Sequence, residues 1–254
     1  MRGLRGGGAA PMIETGDGWE VRLGRYEDVL EDVELVDAIV TDPPYGARTH
    51  TGHDRGVRGS KTGGDPLDDS ERRELVYDAW DAGAVEDFIV RWDRRCVGWF
   101  VAMSDDELAR HWRSFLELRG RCGFAPLPCV IPGMTVRLMG DGPSSWCVWL
   151  NVARPRGEPF SKWGTLRGEY RYSADRGHIG GKPLDMMRAI VRDYSKRGNL
   201  ICDPCMGAAT TGLAAVLEGR RFIGAEQDPE TFALAVRRLR AGYTPSFDFD
   251  GGED

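Results

Sequence analysis

The chain has 254 residues, of which 41% are hydrophobic and 29% charged, with a formal net charge of −6. That length suits one α/β domain with an insertion, no apolar run is long enough to span a bilayer, and the acidic balance argues against a protein that coats nucleic acid through phosphate neutralisation alone. Six scattered cysteines, at 96, 122, 129, 147, 202 and 205, make no secreted disulfide framework and imply a reducing, cytoplasmic setting.

The opening MRGLRGGGAAP lacks the apolar stretch of a signal peptide, so residues 1–17 read as a disordered tail before a single domain over 18–242. WEVRL at 19–23 alternates as a strand does, and Val29 and Val33 stand at helical spacing. VDAIVT at 36–41 is a continuous apolar run, the sign of a strand buried on both faces of a parallel sheet, and it stops at Asp42-Pro43-Pro44-Tyr45. Residues 46–69, rich in Gly, Arg, His and Asp, read as a long loop, and loops of that length in a compact domain are either disordered or functional. Helical patterns follow at 71–80 and 84–95, then the strand VGWFVAM at 97–103. Ser104 with Glu107 makes a capping box for a helix with Leu108, Trp112, Phe115 and Leu116 on one face. Strands near 128–132 and 145–153 read as an antiparallel edge pair, with Trp146 and Trp149 on opposite faces. From Arg154 to Lys182, seven basic residues against three acids interleave with Phe160, Trp163, Tyr170 and Tyr172, which suggests a localised contact surface. Pro183 opens a helix striped with Leu184, Met187, Ile190, Val191 and Tyr194. NLICD and RFIGAE are strands around the helix TTGLAAVLEG, and Asp228-Pro229 begins a last helix carrying Phe232, Val236 and Leu239 before an acidic tail at 243–254. Strands alternating with helices in this way specify a doubly wound α/β sheet.

Ligands of such sheets bind beyond the carboxyl ends of the parallel strands, and three strands here end in acids: Asp42, Asp203 and Glu226. The small residues Met206 to Gly212 form a turn whose amides face a ligand at the start of a helix, but neither the phosphate loop ending G-K-[ST] nor G-x-G-x-x-G is present. Glu226 is placed to bond a ribose hydroxyl pair, so a cofactor with a ribose and a carboxylate fits. At the other end, neither Pro43 nor Pro44 can donate a hydrogen bond, so the Asp42 carboxylate and Pro43 carbonyl present acceptors only. Such a clamp suits a planar amine, and Tyr45 can stack on the ring that bears it. Cys202-x-x-Cys205 has no second pair, and no metal is expected.

DPPY after a buried strand, D-P-x-x-G-x-x-T-T-G before an acid-ended strand, and His178-x-x-x-Lys182-Pro183 between them resemble the amino-methyltransferase family that modifies N6 of adenine or N4 of cytosine in DNA. The order of these motifs is that of its β-class. The resemblance implies a mostly parallel, seven-stranded Rossmann-like methyltransferase sheet with an antiparallel edge pair, and a short target-recognition insertion at 154–177. It implies S-adenosyl-L-methionine as cofactor and double-stranded DNA as substrate, the target base being extruded from the helix. Asp42, Pro43, Pro44 and Tyr45 would be catalytic. His178, Lys182, Pro183, Asp203, Pro204, Met206, Gly207, Thr210, Thr211 and Glu226 would hold the cofactor. Arg48, Arg55, Arg58, Lys162, Arg167 and Arg171 would contact DNA. DPPY favours adenine-N6; cytosine-N4 or RNA methylation on the same scaffold, and a catalytically silent nucleic-acid-binding relative, are the alternatives. A companion restriction nuclease fits the family, and the oligomeric state is not indicated. Three positions depart from the family pattern: Cys205 stands for Phe, Ala209 for Gly, and Gly24-Arg25 for Gly-Asp. Ala209 keeps close approach to a ligand only at negative φ.

Overall fold

The computed structural model describes residues 12–47, 49, 78–132, 147–173 and 182–242. Outside them lie His178, Arg48, Arg55, Arg58 and Trp146, the expected helix at 71–80 up to residue 77, most of the 46–69 loop, and the expected tail at 243–254.

Five strands run parallel, in the spatial order β2 (Trp19–Leu23), β10 (Arg221–Glu226), β9 (Leu200–Asp203), β3 (Ala38–Thr41) and β4 (Phe100–Ser104). β3 and β4, buried at every position, are apolar because both faces are covered, as the run at 36–41 implied. Alternate residues of β3 and β4 serve opposite cores. Ala38, Val40, Val101 and Met103 meet α4 (Leu184–Tyr194), α5 (Thr210–Leu217) and α6 (Pro229–Ala241), whereas Ile39, Phe100 and Ala102 meet α1 (Tyr26–Val29), α2 (Ala82–Trp92) and α3 (Asp106–Leu118). β7 (Cys147–Arg154) pairs antiparallel with β4, and β6 (Leu127–Val130) antiparallel with β7.

The sheet has ten strands among the described residues, not seven. The additional ones are short or peripheral: β1 (Met12–Gly16), β5 (Cys122–Gly123) and β8 (Tyr170–Arg171). β1 corrects the expectation of tail up to residue 17, since its exposed residues form an antiparallel edge against β2. The β6–β7 pair is not at an edge either, because β7 sits between β4 and β6, and β8 lies outside β6. α3 is capped by Asp105, whose side chain accepts from the Leu108 amide, instead of by Ser104; the latter hydroxyl bonds the Asp105 carbonyl.

The winding reverses between β3 and β9. After β9 the chain crosses through α5 to β10, and after β3 it crosses the opposite face through α2 to β4. These two strands are sheet neighbours, so the crevice where doubly wound sheets place their ligands opens between their carboxyl ends. Asp42 follows one strand and Asp203 ends the other.

Candidate active site

Asp42 stands just past β3, with its side chain 30% exposed. Its Oδ1 accepts from the Tyr45 hydroxyl at 2.7 Å and its Oδ2 from Lys182 Nζ at 2.5 Å. Lys182, expected in the cofactor site, is the ion-pair partner of Asp42. Its Nζ also lies 5.3 Å from the centroid of the Tyr45 ring, within cation–π range.

The DPPYG turn is braced from behind. The Gly46 amide donates to Asp105 Oδ2 at 2.9 Å, the Thr49 hydroxyl to the same oxygen at 2.6 Å, and the Trp80 amide to the Tyr45 carbonyl at 3.0 Å. Gly46 has to be small, because a Cβ there would lie 2.8 Å from Glu107 Oε2 and 3.1 Å from Asp105 Oδ2. Asp105 is 2% exposed and was missed as a site residue. The signal was available, since it is a fourth acid at the end of a buried parallel strand, hidden by the capping pattern of the residues beside it.

Thr41 is a second missed residue. Its hydroxyl donates to Asp203 Oδ1 at 2.7 Å, bridging β3 and β9 at the winding reversal. The Cys205 amide donates to the same oxygen at 3.1 Å. Burial pushes the Asp203 carboxyl up to about 7, against the opposing pull of hydrogen bonds from Thr41, Thr211 and the Cys205 amide.

The turn after β9 divides into buried and open parts. Pro204, Met206, Thr210 and Thr211 are buried, and the Thr210 hydroxyl accepts from Arg238 Nη1 at 3.1 Å. Cys205, Gly207 and Ala208 are half-buried, and a Cβ on Gly207 would meet nothing within 4 Å, so the open side of the turn is there. Ala209 has φ 57° and ψ 38°, the left-handed conformation, so the condition set for it on sequence grounds is not met. Its methyl is wholly buried in the core beside α5, however, and does not project over the turn. Burial holds the thiols of Cys202 and Cys205 well above their ordinary range, leaving neither as a thiolate.

Glu226 ends β10 two strands from Asp42, and its Oε1 accepts from the Asp228 amide at 2.8 Å. Burial raises its carboxyl, opposed by that hydrogen bond. The Gly24 amide bonds the Glu226 carbonyl at 2.8 Å, which brings Gly24-Arg25 beside this strand end, but the Arg25 guanidinium turns to Glu27 at 3.1 Å. Pro183 caps the first turn of α4 next to Lys182.

The basic segment is not gathered at this end. Phe160, Trp163, Leu166 and Tyr172 pack on the core, and Trp163 Nε1 donates to the Asp193 carbonyl at 2.8 Å. Lys162 pairs with Glu158 at 2.6 Å and Arg167 with Asp193 at 3.1 Å. Asp193 is near the far end of α4, whose first residue follows Lys182-Pro183. Arg171 differs. It lies 3.8 Å from Glu169, and β8 sets it beside Val130 of β6 and through it Cys147, level with the carboxyl ends of the parallel strands.

Residues 139–237 match the family model described as DNA methylase. The chain is 33% identical over 81 residues to the DNA adenine methyltransferase YhdJ of Escherichia coli (strain K12), covering 32% of this chain and 28% of that protein. It is 41% identical over 61 residues to the Type II methyltransferase M2.MboI of Moraxella bovis, covering 24% of this chain and 22% of that one. The match thus spans about a quarter of the length of these relatives. The fold is similar to that of the M1.HpyAVI-SAM complex (TM-score 0.61, 20% identity, 87% of this chain and all of that one). It also resembles the cytosine-N4-specific PvuII DNA methyltransferase (TM-score 0.60, 14% identity, 89% of this chain and 88% of that one). The matched segment, residues 139–237, is thus similar to DNA methylases, and the doubly wound sheet is the fold found in these solved methyltransferases.

Proposed function

We propose that the protein transfers a methyl group from S-adenosylmethionine to the exocyclic amine of a base flipped out of duplex DNA, N6 of adenine by preference. The observation that carries this reading is the Asp42-Pro43-Pro44-Tyr45 turn at the winding reversal, one strand from the Asp203 turn. The open side of the turn at Gly207 and the partly buried carboxylate of Glu226 suit a ligand with ribose hydroxyls and an amino-acid end. Asp203, Gly207 and Glu226 would hold it. When bound, S-adenosylmethionine supplies a methyl group on a positively charged sulfur.

The chain's own contribution is to the amine. A base amine is a poor nucleophile because its lone pair is delocalised into the ring. The Asp42 carboxylate and Pro43 carbonyl accept hydrogen bonds from its two N–H groups, which favours the pyramidal nitrogen and stabilises the positive charge that grows there. Tyr45 supplies a face for the extruded base, whose unstacking costs about a few kcal/mol. The similarity to a DNA adenine methyltransferase supports adenine, as does the acid in DPPY. The fold shared with a cytosine-N4-specific enzyme makes cytosine-N4 the second reading.

Methyl transfer to duplex DNA, RNA and mononucleotides, compared side by side, tests the substrate class, and sequencing host DNA after expression reports base and sequence together. Absence of S-adenosylmethionine binding at millimolar concentration by calorimetry would overturn the enzyme reading. Asp42→Ala is expected to abolish transfer while cofactor affinity stays within about tenfold, because the lost contact is made to the amine.

A further inference from the structure

In the structure Lys182 makes both contacts that the proposed reading reserves for a target base. Its Nζ donates to Asp42 Oδ2 at 2.5 Å and stands 5.3 Å from the centre of the Tyr45 ring. A nitrogen donor bonded to Asp42 beside the face of Tyr45 is what a stacked adenine with its amine would present. Resting on that reading, we propose that Lys182 is a stand-in for the target amine: it closes the base clamp until an exocyclic amine displaces it.

Charge makes the displacement necessary. The accepting nitrogen becomes positive as it is methylated, and an ammonium left on Asp42 would neutralise the carboxylate that stabilises it and repel the new charge. Local structure makes it easy. The Lys182 backbone leads into Pro183, which has φ −56° and caps α4, so the main chain is held. The four-carbon stem above it, 16% exposed, carries rotatable bonds of its own, so opening the clamp needs a side-chain rotation and no refolding. The latch is also selective. A donor on Asp42 is replaced only by another donor, so a base with a carbonyl at that position leaves it closed. Lys182 would then help decide which bases enter, beyond any part in holding the cofactor.

The chain has only four lysines, Lys61, Lys162, Lys182 and Lys196, so side-chain ammonium signals of protein labelled with nitrogen-15 lysine can be assigned, with Lys182→Met identifying its own. Adenosine at millimolar concentration is expected to shift the Lys182 signal, and inosine, which carries a carbonyl in place of the amine, to leave it unmoved. Equal effects of the two nucleosides, or none from either, overturn the proposal. In a second arm, with S-adenosylmethionine saturating, Lys182→Met should lower KM for unmethylated genomic duplex DNA. The drop is about tenfold if the latched form holds about nine-tenths of the molecules. A purely structural or cofactor-holding lysine predicts an unchanged or raised KM, which also overturns it. Wild-type protein that methylates DNA without a response to adenosine sinks the latch and spares the methyltransferase reading. A response to adenosine without any transfer does the reverse.

Discussion

Ala209 sits in the left-handed region with a methyl group that is wholly buried. The conformation costs an L-residue about 1–2 kcal/mol, but the buried methyl returns about 0.8 kcal/mol and restricts the unfolded chain by a further ~0.4–1 kcal/mol. These terms nearly cancel, which is why alanine is tolerated where the family pattern has glycine. Ala209→Gly should therefore change folding stability by less than about 1 kcal/mol, measured by urea denaturation, whereas Ala209→Val, β-branched at positive φ in a filled core, should lose more than about 2 kcal/mol. Equal behaviour of the two variants would refute this account. At this scale Asp42, Tyr45, Asp203 and Glu226 were legible because each is a polar residue where an apolar strand stops. Lys182 was legible as a candidate site residue but not as the partner of Asp42, because 140 residues separate the pair and only the fold brings them together.

Between elements, the Thr41–Asp203 hydrogen bond ties β3 to β9 where the two halves of the winding meet. The cost of this link is a carboxyl buried with no cation beside it among the described residues, raised to about 7. Unfolded, the same group titrates near the ordinary value of about 4, so between about 4 and about 7 the folded chain holds a proton that the unfolded chain has released. Stability therefore falls as pH rises through that window and then levels, by an amount on the order of a few kcal/mol. Asp203→Asn keeps an acceptor for Thr41 and the Cys205 amide but cannot ionise. The wild-type minus variant difference in urea midpoint should accordingly decline from pH 4 to 7 and stay flat above it; parallel profiles would show that Asp203 does not titrate there. The long elements were readable from their periodicity, whereas β5 and β8, each two residues long, carry no period to read. Such strands exist because a neighbour's edge offers hydrogen bonds, and that information is not local.

Across the whole molecule, two independent rulers separate Lys162 from the Asp42 turn. Phe160, two residues before it, packs 3.3 Å from where a Cβ on Gly98 would lie, below the start of β4, whereas Asp42 is level with Met103, one step beyond the Thr41–Ala102 pairing. Five residues of strand span about 16 Å. The other ruler is α4, whose 11 residues span about 16 Å between Lys182-Pro183 at the active site and the Asp193–Trp163 contact at the far end. Among the described residues the aromatic side chains of this segment are thus mainly packing around Trp99, Trp163 and Tyr194, and Lys162 and Arg167 are matched by local acids. A duplex that places a base against Tyr45 is met by Arg171 before Lys162. Lys162→Glu should then leave KM for DNA and the slope of its salt dependence unchanged, because that slope counts neutralised phosphates. Arg171→Glu should raise KM and make the slope shallower by about one, the signature of a lost phosphate contact. The reverse pattern would mean that the DNA path runs past the opposite end of the sheet, and the recognition surface would have to be sought there.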